Sequence, residues 1–132
     1  MLCLYFYSIE AHHREKNEEV ELRGKFIHGQ SMDLPNLIWL PDLIDTADSF
    51  ESFFTRTNNK TLSVRNVHLL NYRNFGSSDH HDSFEISDLA NDIIRYMDKN
   101  EITTATIGGH GFGAKVATVA ATENMDRFTG VM

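Results

Sequence analysis

Cysteine and long apolar runs are scarce in this sequence, and each shortage excludes a class of protein. Cys3 is the only cysteine among the 132 residues, so no intrachain disulfide can form and a reducing compartment is the simpler setting. The most apolar stretches, residues 2–7 and 37–43, fall well short of the roughly 20 residues that a membrane-spanning helix needs. We therefore predict no direct membrane span. The first residues also lack the features of a secretory signal or a transit peptide, so we expect any targeting peptide to be absent or removed.

Basic side chains and metal-ligand sets are scarce as well. The sequence has 12 Lys and Arg against 19 Asp and Glu, which gives a formal net charge of −7. Binding to nucleic-acid phosphates depends on clustered basic residues, whereas the basic residues here are scattered. The histidines at 12–13 and 80–81 lack a Cys or Glu that would complete a metal set. We therefore predict no nucleic-acid partner, no metal and no cofactor, and protein partners stay open.

The hydrophobic pattern predicts one domain in which strands alternate with helices. Residues 1–35 are expected to hold an antiparallel hairpin made of strands at 2–9 and 20–27, and residues 36–132 a βαβαβα core. Strands are predicted at 36–41, 64–70, 103–107 and 128–132, and helices at 47–56, 83–99 and 114–122. This order indicates the α/β class, with a mostly parallel sheet, an N-terminal antiparallel hairpin and helices on both faces.

The helix predicted over 83–99 has the most regular apolar spacing. Its apolar residues recur three or four positions apart, as they do on the buried face of an amphipathic helix. Asp82 and Glu85 have the spacing of a capping box, so we expect the helix to start at residue 83.

The glycine-rich turn that follows the strand at 103–107 has the layout of a nucleophile elbow, G-x-S-x-G. The run is Gly109, His110, Gly111, Phe112 and Gly113, between a predicted strand and an alanine-rich helix. The outer glycines meet the steric needs of an elbow, whose central residue has a strained backbone with neighbouring chain packed tightly against it. The hydroxyl that would attack a substrate is missing, because Gly111 stands at the serine position.

The segment 37–132 resembles the α/β-hydrolase superfamily, and within it the small mitochondrial abhydrolases with a G-H-S-M-G-G-K elbow. Residues 109–115 match that run with the Ser, the Met and one Gly replaced, and the run NYRNFGSS at 71–78 is similar to the family's D-x-R-N-H-G-x-S loop. The resemblance implies the N-terminal half of a hydrolase in which Gly111 replaces the nucleophile. It also implies a mitochondrial location and a supporting role for His110.

The resemblance further implies a degenerate oxyanion hole. The family has H-G and an apolar residue where this sequence has Pro41, Asp42 and Leu43, and the amide donors are expected near Leu43 and Phe112. Asp42 would place a carboxylate beside those donors. The triad acid and histidine follow the nucleophile in this family, and the sequence ends about twenty residues after Gly111. We therefore predict a pseudoenzyme.

The predicted function is that of a structural or interaction subunit in a larger assembly, with a mitochondrial, respiratory-type complex as the expected setting. Other protein subunits are expected to cover the sheet edge near Phe128 and Met132. One alternative is half of a split serine hydrolase that a second chain completes, and another is a ligand-binding pseudoenzyme. Gly109, Gly111 and Ala114 also fit the dinucleotide fingerprint G-x-G-x-x-G/A, which is weak support when it stands alone.

Overall fold

The computed structural model describes residues 19–56 and 60–132, and a five-stranded sheet lies at the centre of this part of the chain. The strands are β1 (Gly24–Ile27), β2 (Asn36–Leu40), β3 (Asn66–Leu70), β4 (Ala105–Gly109) and β5 (Phe128–Val131). The helices are α1 (Asp48–Thr55), α2 (Thr61–Val64), α3 (Ile86–Lys99) and α4 (Phe112–Glu123). None of these helices is long and apolar enough to cross a membrane.

The strand order is β1-β3-β2-β4-β5, and all neighbouring pairs are parallel except the pair of β1 with β3. The α/β class with a mostly parallel sheet is therefore confirmed. The strand predicted over 20–27 begins at Gly24, and it pairs with β3, with Gly24 opposite Leu70 and Ile27 opposite Val67. The other predicted hairpin strand, at 2–9, lies outside the described residues, so that pairing stays a prediction.

Successive side chains of each strand point to opposite faces of the sheet, so both faces carry apolar side chains. Helices cover both faces and bury these side chains. One face carries the larger core, where Ile38 of β2 and Ile107 of β4 are fully buried beneath α3 and α4. The other face carries a smaller core, in which Leu37 and Leu69 pack against Phe54 of α1. Fully burying each such side chain stabilises the fold by roughly 1.5–3 kcal/mol.

The start of α3 differs from the prediction. The helix begins after Glu85 and not at residue 83, and Glu85 forms its capping box with Asp88, while the predicted box paired Asp82 with Glu85. The reason is a tertiary contact, since an Nη1 of Arg73 donates to the carbonyl oxygen of Ser83 at 3.0 Å. That hydrogen bond holds the segment before Glu85 outside the helix. Within the described residues, and except for the strand at 20–27, the other predicted boundaries lie within two residues of the observed ones.

Candidate functional site

The candidate site lies where the carboxyl ends of β2, β3 and β4 meet at one edge of the sheet. Because these strands are parallel and adjacent, the residues that follow each of them come together there. The three segments are residues 41–43 after β2, residues 71–73 after β3 and residues 109–113 around the end of β4. This edge therefore brings together the elbow run and the segment predicted to replace the oxyanion hole.

The turn from β4 into α4 has the backbone of a tight strand-to-helix turn. Gly111 lies immediately before α4 with φ 56° and ψ −116°, a conformation that strains any residue with a side chain. The amide of Gly113 donates to the carbonyl oxygen of His110 at 2.9 Å, which closes the turn. Glycine at position 111 thus removes the strain that a serine would suffer there.

The outer glycines of the run are required by close backbone packing. A Cβ added to Gly109 would lie 2.4 Å from the carbonyl carbon of Gly113. A Cβ added to Gly113 would lie 2.4 Å from the carbonyl oxygen of Leu40, at the end of β2. The first turn of α4 therefore presses directly on the ends of β2 and β4, and no side chain fits between them.

The carboxylate of Asp42 is bound to two backbone amides at this edge. Its Oδ1 accepts the N–H of Phe112 at 2.9 Å and the N–H of Leu43 at 2.8 Å. The same carboxylate fills the space above Gly111, since a Cβ on that residue would lie 2.4 Å from Asp42 Oδ2. Asp42 therefore occupies both the amide pair and the volume that a side chain at position 111 would need.

The electrostatics favour the charged form of Asp42. The hydrogen bond from the Phe112 amide, and after it the one from the Leu43 amide, hold the pKa of the Asp42 carboxyl below its usual value of 3.8. The Phe112 amide belongs to the first turn of α4, where the helix dipole also favours an anion. His110 is exposed, and its Nδ1 lies 4.0 Å from Asp42 Oδ2. At neutral pH the two amides are thus held by an internal anion.

Two residues of the loop after β3 support this arrangement, and the sequence alone did not give them a role. The hydroxyl of Tyr72 donates to the carbonyl oxygen of Pro41 at 2.9 Å, and burial raises the pKa of this phenol, so it stays a donor. Asn71 Oδ1 accepts the amide of Ala47 at 2.8 Å, just before α1. The signal that could have found them is their position in the run 71–78, directly after a buried strand.

Arg73, the next residue of this loop, forms a buried two-contact ion pair with Asp92 of α3. Arg73 Nε lies 2.7 Å from Asp92 Oδ2, and Nη2 lies 2.8 Å from Oδ1. Both residues are almost fully buried, with 3% of Arg73 and 0% of Asp92 exposed. The pair fastens the loop to α3 and thereby fixes the segment that carries Tyr72.

Three further predictions concerned a metal site, a dinucleotide site and a partner edge. Within the described ranges, no group of three or more His, Cys, Asp or Glu side chains could hold a metal ion, and the histidines at 12–13 lie outside those ranges. The start of α4, where a dinucleotide pyrophosphate would bind, carries the Asp42 carboxylate, whose charge would repel it. Near the predicted partner edge, Met132 is 66% exposed.

Comparisons with known proteins agree with the observed fold. No protein-family model matches the chain. Among curated proteins, it is similar to ethanol acetyltransferase 1 of Kluyveromyces marxianus, with 32% identity over 63 residues, which are 48% of this chain and 17% of that protein. Among solved structures, it is similar to an esterase from a marine microorganism, with a TM-score of 0.75 and 25% identity over 85% of this chain and 40% of the other. The chain has an α/β-hydrolase fold.

A second hydrolase of this fold, an esterase from Thermogutta terrifontis, superposes with a TM-score of 0.72 at 16% identity, covering 85% of this chain and 39% of that one. The chain thus spans less than half the length of each of these three proteins. In the α/β-hydrolase fold, the nucleophile sits on the strand-to-helix turn, and the oxyanion hole uses the amide of the following residue and one from an earlier loop. In this chain Gly111 lies on the strand-to-helix turn, and the amides of the next residue, Phe112, and of Leu43 in the loop after β2 both donate to Asp42.

Proposed function

We propose that this chain is a non-catalytic α/β-hydrolase-fold protein that acts as a structural or interaction subunit of a larger assembly. The observation that carries the proposal is the Asp42 carboxylate, which binds the amides of Phe112 and Leu43 and lies directly over Gly111. The fold supplies an elbow and two amides that point at one spot. The groups that would do chemistry at that spot are a glycine and a fixed anion.

The nucleophile position supports the proposal through space as well as through residue type. Acyl transfer at an elbow begins with attack by a side-chain oxygen, and Gly111 has no side chain. A Cβ at that position would come within 2.4–2.6 Å of three Asp42 atoms, so a side chain there requires Asp42 to move. Gly111 and Asp42 are therefore sterically coupled, and restoring serine alone does not restore an open elbow.

The amide pair supports the proposal through charge. An oxyanion hole works because its donors are free to bind the negative charge that develops in the transition state, and one donor contributes about 10²–10³ in kcat. Here a carboxylate already accepts both N–H groups. A substrate oxygen would have to displace Asp42 or approach it as a like charge. Either route removes the stabilisation that the hole would provide.

The names of the similar proteins favour a second candidate, an acyl-transferring or ester-hydrolysing enzyme of which this chain is one part. The relative is an acetyltransferase and the structural neighbours include esterases. In that case another segment or a second polypeptide would supply the nucleophile, the acid and the histidine, and Asp42 would leave the amide pair when substrate binds. A mitochondrial, respiratory-type setting stays a prediction from the sequence resemblance.

Covalent labelling tests whether this chain carries a reactive nucleophile of its own. We expect the chain to remain unlabelled by a fluorophosphonate in intact-mass measurements, and to hydrolyse p-nitrophenyl acetate no faster than its heat-denatured form. Loss of an elbow serine reduces kcat by on the order of 10⁶, which leaves no measurable turnover. Gly111→Ser, made in the same chain, is the matched variant and should stay unlabelled because Asp42 holds the amides. Labelling of the unaltered chain would overturn the proposal.

A further inference from the structure

The segment that leads into α3 is held by His81, a residue that the candidate site does not use. His81 Nδ1 accepts the N–H of Ser83 at 3.0 Å and lies 3.4 Å from Nη1 of Arg73. A backbone N–H and a guanidinium can only donate hydrogen bonds. Nδ1 is therefore an acceptor in this arrangement, and the neutral ring carries its proton on Nε2.

The surroundings of the His81 ring are fixed by other hydrogen bonds. Asn74 Oδ1 accepts the N–H of His81 at 2.7 Å, and Asn74 Nδ2 donates to the His81 carbonyl oxygen at 2.9 Å. Arg73 is buried and is bound both to Asp92 and to the carbonyl oxygen of Ser83. A change in the charge of the ring is therefore relieved most easily by rotation of the His81 side chain.

Charges of both signs surround the His81 ring. Arg73 faces Nδ1, and Asp88 Oδ2 of α3 lies 3.8 Å from the same Nη1 of Arg73. Burial raises the pKa of Asp88, but the hydrogen bonds that its carboxylate accepts bring the pKa below its usual value, so Asp88 is an anion at neutral pH. The other titratable neighbours are Asp92, which binds Arg73, and the exposed flanking residues His80 and Asp82. Asp88 attracts a protonated ring, yet a proton on Nδ1 has no acceptor in this arrangement.

The segment 82–84, which His81 holds, contacts the elbow through an aromatic pair. The ring of Phe84 stacks on the ring of Phe112, with the two centroids 6.4 Å apart and the planes 16° from parallel. Phe112 supplies one of the two amides that bind Asp42. Phe84 therefore covers Phe112 only while the segment stays in place.

We propose that His81 is a pH-sensitive latch whose protonation loosens the segment 82–84 over the elbow. In the closed state, the neutral ring accepts the Ser83 amide at Nδ1. A proton taken up from solvent at Nδ1 turns this acceptor into a donor that faces Arg73. The ring then rotates away, the Ser83 amide loses its acceptor, and Phe84 contacts the elbow less persistently. The latch involves no catalytic step and no partner, so it stands independently of the proposed function.

Nuclear magnetic resonance tests the latch in the unaltered chain. At about pH 7.5, we expect the ¹⁵N shifts of the His81 ring to show an unprotonated Nδ1 and a protonated Nε2. As the ring takes up its second proton in acid, the protection of the Ser83 amide against hydrogen exchange should fall by about tenfold, because one hydrogen bond is lost. Contacts between the rings of Phe84 and Phe112 should weaken in the same pH range. The Glu85 amide, which donates to Asp88, should keep its protection.

Two variants separate His81 from its neighbour. In His81→Gln, the side chain can still accept a hydrogen bond but takes up no proton, so the Ser83 amide should lose its pH response. His80→Gln is the matched control, since it replaces an exposed histidine at the adjacent position and should keep the response of the unaltered chain.

Three results would overturn the latch. A protonated Nδ1 in the neutral ring would contradict its role as the acceptor of the Ser83 amide. Titration of His81 without any change at Ser83 would show that the charged ring stays in place, with Asp88 balancing its charge. A response of the Ser83 amide that persists in His81→Gln would assign the pH dependence to another group.

Discussion

The elbow at residues 109–113 and the polar contacts beneath α3 lie beside the same sheet, and different interactions hold each of them. The elbow is shaped by backbone packing, since Gly109 and Gly113 leave no room for side chains. Beneath α3, contacts between polar side chains hold the structure together. Arg73 binds Asp92 with two hydrogen bonds, and His68 Nδ1 lies 2.8 Å from the hydroxyl of Tyr96. The first region is held by contacts between backbone atoms, and the second is held by polar side chains that bind one another.

This difference shows that the shape of the elbow does not depend on a side chain at position 111. The turn depends on close contact among β2, β4 and α4, so its form does not require a hydroxyl at position 111. The contacts beneath α3 depend on each partner, because an unpaired polar or charged group in the core is costly. Substitutions should therefore affect the two regions in different ways.

The largest expected effect is at the buried ion pair. Arg73→Met leaves the carboxylate of Asp92 buried without its main partner, so we expect the free energy of unfolding to fall by about 3–5 kcal/mol in urea titrations. Combining Arg73→Met with Asp92→Leu should recover much of that loss. Arg95→Met is the matched control, because Arg95 contacts the same carboxylate at 3.0 Å from a more exposed position and should cost under about 1 kcal/mol. A double variant as unstable as the sum of its single variants would contradict this account.

A smaller effect is expected at the elbow. Gly111→Ala adds a side chain at φ 56° and forces it against Asp42, so the free energy of unfolding should fall by about 1–3 kcal/mol. In a chain that carries Asp42→Gly, the same substitution should cost less, because only the backbone strain remains. Gly130→Ala in β5 is the control, since its Cβ would meet only ordinary contact, at 3.8 Å. Equal costs of Gly111→Ala in both backgrounds would show that Asp42 does not occupy that space.

The third effect is graded and concerns acid. Burial lowers the pKa of His68 from 6.5 to about 4, and its ring nitrogens contact Tyr96 and Asn36. Above pH 6.5 the imidazole is neutral in both folded and unfolded chains, so it adds no pH dependence. As pH falls from 6.5 toward 4, the unfolded chain takes up a proton that the folded chain refuses, and stability should fall by about 1 kcal/mol per pH unit.

Urea titrations at several pH values between 6.5 and 4 measure this slope. His68→Gln should flatten the profile in that range. A profile that keeps its slope in His68→Gln would assign the acid sensitivity to another group.

The sequence was sufficient for the fold class and for the location of the elbow. Apolar alternation and the strand–turn–helix pattern place β4 and α4 around Gly111, and the adjacent ends of parallel strands bring Asp42 to the same edge. These features follow from local periodicity and from simple rules of sheet topology.

The remaining features depend on contacts between residues that are distant in the sequence. The start of α3 moved because Arg73 holds Ser83, and the pairing of Arg73 with Asp92 requires the loop and the helix to be packed together. A pattern of residue types does not specify the rotamer that puts Asp42 Oδ1 on two amides at once. Likewise, the apolar groove lined by Leu37, Trp39 and Phe54 forms only when the sheet face and both short helices, α1 and α2, are in place.

The central claim is that Asp42 fills the amide pair at the elbow, and the amide protons themselves report on it. In a ¹H–¹⁵N titration with acid, we expect the Leu43 and Phe112 amides to move together, with a midpoint below the usual aspartate value of 3.8. Both responses should vanish in Asp42→Asn. Amides that do not respond to the Asp42 titration, or a midpoint at or above 3.8, would show that the pair is free, and the case against catalysis at this elbow would fail.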